Sequence, residues 1–113
     1  MTTSYITTHV LDTAAGKPAA GVPVRLSSLQ DDTWTHLADG QTDADGRVKN
    51  LGPEALPSGT YRLEFTTADY FARHKTPSFF PEVLLTFSVD SGQAHYHVPL
   101  LLSPYSFSSY RGS

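Results

Sequence analysis

The sequence predicts an all-β fold, a sandwich of two antiparallel sheets carrying one short helix. Three observations predict it. Apolar and polar side chains alternate with a two-residue period through most of the chain, as strands with one buried face require. Turn formers are dense, eight glycines and eight prolines in 113 residues, so the strands must be short. Only one segment breaks the period, and its charges are those of a helix. The length is the usual size of one domain, so residues 1–113 are read as a single unit.

Taken in order, residues 5–11 alternate β-branched and polar side chains, and the turn cluster Ala14, Ala15, Gly16, Lys17, Pro18 ends that strand. Residues 22–26 form a second; Pro23 has no N–H for a ladder, which places it on an edge or at a strand start. Residues 33–37 are a third. Asp43, Ala44, Asp45 and Gly46 then make a turn in which Gly46 permits positive φ, followed by a brief strand over 47–49. Residues 60–66 alternate cleanly, while 83–89 and 94–102 are longer and more apolar. A last strand over 105–110 sets Tyr105, Phe107 and Ser109 against Ser106, Ser108 and Tyr110. The exception is 68–75, with Asp69 in its first turn, Arg73 and Lys75 in its last and Pro77 beyond; those charges suit a helix dipole. Roughly seven or eight short strands with one helix make a two-sheet sandwich. The apolar strand over 83–89 has no Lys or Pro to guard an edge, so pairing with a second chain is expected there.

Composition removes several function classes. With no cysteine, disulfides, thiolate metal sites and cysteine nucleophiles are excluded. A net charge of −3 gives no electrostatic reason to bind nucleic acid or an anionic membrane. No apolar run reaches the roughly 18–20 residues that span a bilayer. The N-terminal residues lack a basic start and an apolar stretch, so a cytoplasmic location is the default expectation, and Arg111, Gly112 and Ser113 form no lipidation or retention signal.

Chemistry can reside in a few side chains. His95 and His97 share one face of their strand, because positions i and i+2 point the same way. An H-x-H pair can ligate zinc if a third ligand joins it; read structurally, the same two are half-exposed strand residues with satisfied ring nitrogens. His9 can accept a proton near neutral pH, its ordinary pKa being about 6.5, or can be a surface residue of a Thr-rich strand. Arg47 can hold a planar, oxygen-rich ligand by two parallel hydrogen bonds, or can be solvated. The acidic turn before it lacks the spacing and closing Glu of an EF-hand loop.

Joined, these residues make a pattern. The run His95-Tyr96-His97-Val98-Pro99-Leu100-Leu101-Leu102-Ser103-Pro104-Tyr105 and the terminal Tyr110-Arg111-Gly112-Ser113 strongly resemble the 5-hydroxyisourate hydrolases, or transthyretin-related proteins. Thr8-His9-Val10-Leu11-Asp12-Thr13, Gly16-Lys17-Pro18-Ala19 and Thr42-Asp43-Ala44-Asp45-Gly46-Arg47 are similar to that family's other blocks. The terminal tetrapeptide separates the hydrolases from the hormone-carrying transthyretins that share their fold.

The resemblance implies a transthyretin-like sandwich of two four-stranded sheets. It also implies a homotetramer, a dimer of dimers, with active sites in a channel between the dimers. Its catalytic residues would be His9, Arg47 and His97, and its substrate-binding residues His9, Arg47, Tyr110, Arg111, Gly112 and Ser113; His95 belongs to the motif without an assigned role. The implied reaction is hydrolysis of 5-hydroxyisourate, the unstable product of urate oxidation, to 5-hydroxy-2-oxo-4-ureido-2,5-dihydro-1H-imidazole-5-carboxylate. No cofactor and no metal enter it. The competing readings are a carrier with a small-molecule channel and a zinc hydrolase built on His9, His95 and His97.

Overall fold

The computed structural model describes residues 3–112. Nine strands and one helix run in the order β1 (Ile6–Asp12), β2 (Lys17–Pro18), β3 (Pro23–Gln30), β4 (Thr33–Gln41), β5 (Arg47–Val48), β6 (Gly59–Phe65), α1 (Thr67–Arg73), β7 (Val83–Val89), β8 (Tyr96–Leu102) and β9 (Phe107–Ser109). One sheet is ordered β2-β1-β8-β9, with β5 also on β1; the other is ordered β4-β3-β6-β7.

The expected sandwich is present, with two differences in detail. The first sheet has five strands rather than four, because Lys17 and Pro18, read as part of a turn, pair with Asp12 and Leu11. The Asp12 carboxylate accepts the backbone N–H of Ala14 and Ala15, and Gly16 at φ +70° turns the chain straight back. Both residues of β2 are exposed, so no apolar pattern marks the strand. The second difference is direction: β1 and β8 are parallel over their whole length. Side-chain alternation is the same in either direction and cannot reveal this.

Strand β3 is central, so Pro23 serves as its first residue rather than as an edge residue. Asp31 and Asp32, at φ +50° and +62°, join β3 to β4. Two successive positive φ values make the tight reversal that matches strand twist. Val24, Leu26, Leu63, Phe65 and Val83 from one sheet meet Ile6, Val10, Leu100 and Leu102 from the other in one buried cluster. Each such side chain contributes about 1.5–3 kcal/mol by leaving water.

Helix α1 starts one residue before the sequence expectation and ends two before it. It buries Thr67, Tyr70 and Phe71. The Tyr70 hydroxyl donates to Asp12 Oδ2 at 2.7 Å, which ties the helix to the end of β1. Arg73 closes the last turn, donating to the carbonyl of Gly21 at 2.9 Å. Strand β7 lies on a sheet edge, with Leu84 exposed.

Candidate active site

The parallel pairing of β1 with β8 brings together residues from opposite ends of the chain. Its register sets Thr7 beside His97 and His9 beside Pro99. On the other side of β1, Arg47 of β5 pairs with His9. Because alternate residues share a face, Thr7, His9, His97 and Arg47 all stand on the outer face of this sheet, while Ile6, Val10, Val98 and Val48 fill the core. A shallow cleft of about 280 Å³ opens there, lined by Thr3, Thr7, Thr8, Arg47, Lys49, His95 and His97.

Arg47 is placed by the turn before it. The Asp43 carboxylate accepts the backbone N–H of Asp45 at 2.9 Å and of Arg47 at 3.0 Å. The Arg47 bond is the main reason the Asp43 carboxyl sits below the usual carboxylate range. Gly46 has φ +76°, and its carbonyl accepts from Val10 N at 2.7 Å. A Cβ on Gly46 would stand 2.4 Å from the Val10 carbonyl oxygen, so no side chain fits without moving β1 or the turn. Gly46→Ala is therefore expected to cost more than about 1 kcal/mol of stability. Urea unfolding measures it, and an unchanged midpoint would show that the turn yields freely.

The imidazoles are held through their hydrogen bonds. His9 Nε2 lies 2.9 Å from the carbonyl oxygen of Asp45. A carbonyl only accepts, so His9 carries its proton on Nε2 and keeps Nδ1 as the basic nitrogen. Thr7 Oγ1 lies 2.9 Å from His97 Nδ1 and 3.0 Å from His95 Nε2, so one hydroxyl joins both members of the H-x-H pair. Burial first, then the positive charge of Arg47 and the nearby His9 and His95, hold His97 below the ordinary imidazole pKa. His97 is thus a neutral base near pH 7. Among the described residues no three His, Cys, Asp or Glu side chains are grouped to hold a metal ion.

The C-terminal segment returns to this site. Gly112 N donates to the His97 carbonyl at 2.8 Å. That bridge continues the β8–β9 register and sets Gly112 opposite His97. A Cβ on Gly112 would stand 2.7 Å from His97 Cδ2; glycine is what lets the backbone lie against the ring. The Arg111 guanidinium instead sits 4.7 Å over the Tyr96 ring and donates to Gln93 Oε1 at 3.3 Å. Ser113 lies outside the described residues.

Within one chain, this sheet face unites His9, Arg47 and His97, with Gly112 against the His97 ring, whereas Tyr110 and Arg111 line a separate cavity beside Leu85 and Phe87 of β7. Sequence reasoning missed Thr7 and Lys49. Each stands two residues from a candidate, Thr7 from His9 and Lys49 from Arg47, so the face rule applied to His95 and His97 would have found both.

The chain has relatives. The chain is 50 % identical over 111 residues to a 5-hydroxyisourate hydrolase from Salmonella dublin, covering 97 % of this chain and 82 % of that protein. Among solved structures it resembles 5-hydroxyisourate hydrolase from Klebsiella pneumoniae, with a TM-score of 0.86, 38 % identity, and 97 % of this chain and 100 % of that one covered. It also resembles sea bream transthyretin in complex with thyroxine, with a TM-score of 0.91, 33 % identity, and coverage of 96 % and 94 %. The sequence profile described as HIUase/Transthyretin family matches residues 6–112, a span running from the first residue of β1 to the glycine packed against His97. By that match and those identities, the chain belongs to the HIUase/Transthyretin family.

Proposed function

We propose that this protein hydrolyses 5-hydroxyisourate in urate degradation, and that His9, Arg47 and His97 carry the reaction. The observation that carries the reading is the meeting of two imidazoles and a guanidinium on one open sheet face, with His97 kept neutral. The relatives that share this fold and bear the hydrolase name support it.

The chemistry follows from the toolkit. A water attacks a carbonyl carbon of the six-membered ring while His97 takes one of its protons. Arg47 donates to the substrate's oxygens and offsets the negative charge that develops on the attacked one. The carbonyl re-forms as the ring C–N bond breaks, and the departing nitrogen takes a proton back from an imidazolium. His9, whose basic nitrogen is Nδ1, shares the proton transfer. No group outside the chain and water enters these steps.

The same reading includes a homotetramer, a dimer of dimers, acting in the cytoplasm. The unguarded β7 edge and the exposed Phe107 and Tyr110 supply apolar surface for a second chain. A cleft open on one chain would be enclosed where two such faces meet, with Gly112 against the His97 ring as part of its wall. The single core shared by both sheets supports reading residues 1–113 as one domain. Among the described residues no helix is long and apolar enough to cross a membrane.

A carrier is the second reading, favoured by the likeness to a thyroxine-binding transthyretin. The cleft's lining speaks against it: Arg47, Lys49, His95, His97 and three threonines suit a small polar heterocycle, not a large apolar hormone. To decide, 5-hydroxyisourate is generated in situ from urate with uricase, and its ultraviolet decay is followed. Decay is expected to accelerate in proportion to added protein; decay unchanged at micromolar protein selects the carrier.

A further inference from the structure

We infer that Thr7 is a positioning residue which fixes the proton of His97 on Nδ1, and that His95 completes the device by accepting the Thr7 hydroxyl hydrogen. This deepens the hydrolase reading and rests on it for its kinetic consequence.

A hydroxyl has one hydrogen to donate and two lone pairs to accept with. Thr7 Oγ1 faces two ring nitrogens, His97 Nδ1 at 2.9 Å and His95 Nε2 at 3.0 Å, so it can donate to only one of them. The surroundings decide which. The cleft that His97 faces is lined by Arg47 and Lys49, which are cationic donors, by threonines and by His95; among the described residues no carboxylate lines it. The lone-pair nitrogen is the negative end of a neutral imidazole. Turning it toward the two cations is favourable, whereas turning an N–H toward them is not. His97 Nε2 makes no hydrogen bond to the described residues and takes the lone pair. Nδ1 then bears the hydrogen and donates it to Thr7, whose own hydrogen goes to His95 Nε2.

The placement is not loose. Thr7 is 6 % exposed, between the His97 strand on one side and β5 on the other. His95 itself is exposed, at the end of a loop that Tyr5 clamps through its hydroxyl, 2.7 Å from the Gln93 carbonyl. The titratable and charged groups around the device are His9 on β1, Arg47 and Lys49 on the β5 segment, and His95 beside β8.

The test compares wild type with Thr7→Val, which keeps the shape and loses the hydroxyl, and with Thr7→Ser, which keeps the hydroxyl. Two readouts are taken. In protein labelled with ¹⁵N-histidine, ring nitrogen shifts report which nitrogen of His97 is protonated, the resonance being assigned by its loss in His97→Asn. Wild type and Thr7→Ser are expected to show Nδ1–H, and Thr7→Val a mixture moved toward Nε2–H. In the decay assay, Thr7→Val is expected to lose about tenfold in kcat with KM within about twofold, as one lost hydrogen bond at a base warrants, and Thr7→Ser to keep most of the rate. Wild-type His97 carrying its proton on Nε2 overturns the inference. So does a folded Thr7→Val with wild-type kcat. If wild type fails to hydrolyse 5-hydroxyisourate, the hydrolase reading falls, and the nitrogen shifts still decide the tautomer. Should Thr7→Val not fold, the wild-type and Thr7→Ser spectra suffice.

Discussion

His97→Asn is expected to lose about 10²–10⁴-fold in kcat, the range a positioned general base supplies, with the assembly unchanged in size. Asparagine has no nitrogen that titrates near neutral pH, so it cannot take the proton of water. The position is half-buried on a strand whose inward neighbours, Tyr96 and Val98, hold the sheet, so the substitution leaves the core intact. Rates from the in situ decay assay and the elution volume in size exclusion test the two halves of the expectation. Turnover within about threefold of wild type would remove His97 from the chemistry. The pH profile adds a sign. The folded protein holds the His97 pKa below its ordinary value, so the acid limb of kcat/KM is expected below about pH 6.5. The same depression means the unfolded chain gains this proton first as pH falls, so the imidazole's share of stability is lost below that pH.

Arg47→Gln is expected to lower kcat/KM by about 10²–10³-fold, the usual consequence of losing a donor aimed at a developing oxyanion. A second effect separates this from simple misfolding. The Arg47 charge is one of the causes that hold His97 down, after burial, so removing it lets the His97 pKa rise. The acid limb of the variant should therefore move to higher pH, which a damaged fold alone does not predict. Arg47→Lys keeps the charge and loses the planar fork. It is expected to leave the limb in place while still slowing the reaction. An Arg47→Gln profile with an unmoved acid limb would show that guanidinium and imidazole do not sense each other.

Much of the fold was legible because the periodic signal is physical. Tyr61, Leu63 and Phe65 are buried and their neighbours are not, and 83–89 needed no adjustment at either end. What stayed hidden has no side-chain signature. The parallel direction of β1 and β8 leaves alternation unchanged, and the exposed pair Lys17–Pro18 buries nothing. For the site, the face rule places His95 with His97 and cannot by itself bring His9 or Arg47 to them; pairing between distant strands does that. The family resemblance supplied this juxtaposition in advance. Arg111 marks its limit: it stands in the terminal motif, yet in one chain it packs over Tyr96, away from the two imidazoles. Thr7 was passed over because a hydroxyl on a Thr-rich strand looks like β propensity until its two nitrogen partners are seen.

The link between Thr7 and His97 spans 90 positions of sequence. Contacts that distant close late, after shorter loops have formed, because bringing far-apart segments together costs the most chain entropy. The reactive cluster is thus absent from any partly folded species that lacks the seam between first and eighth strands, whatever hairpins it already contains. During refolding, catalysis is expected not to recover before that closure, while the early rise in strand content does not wait for it.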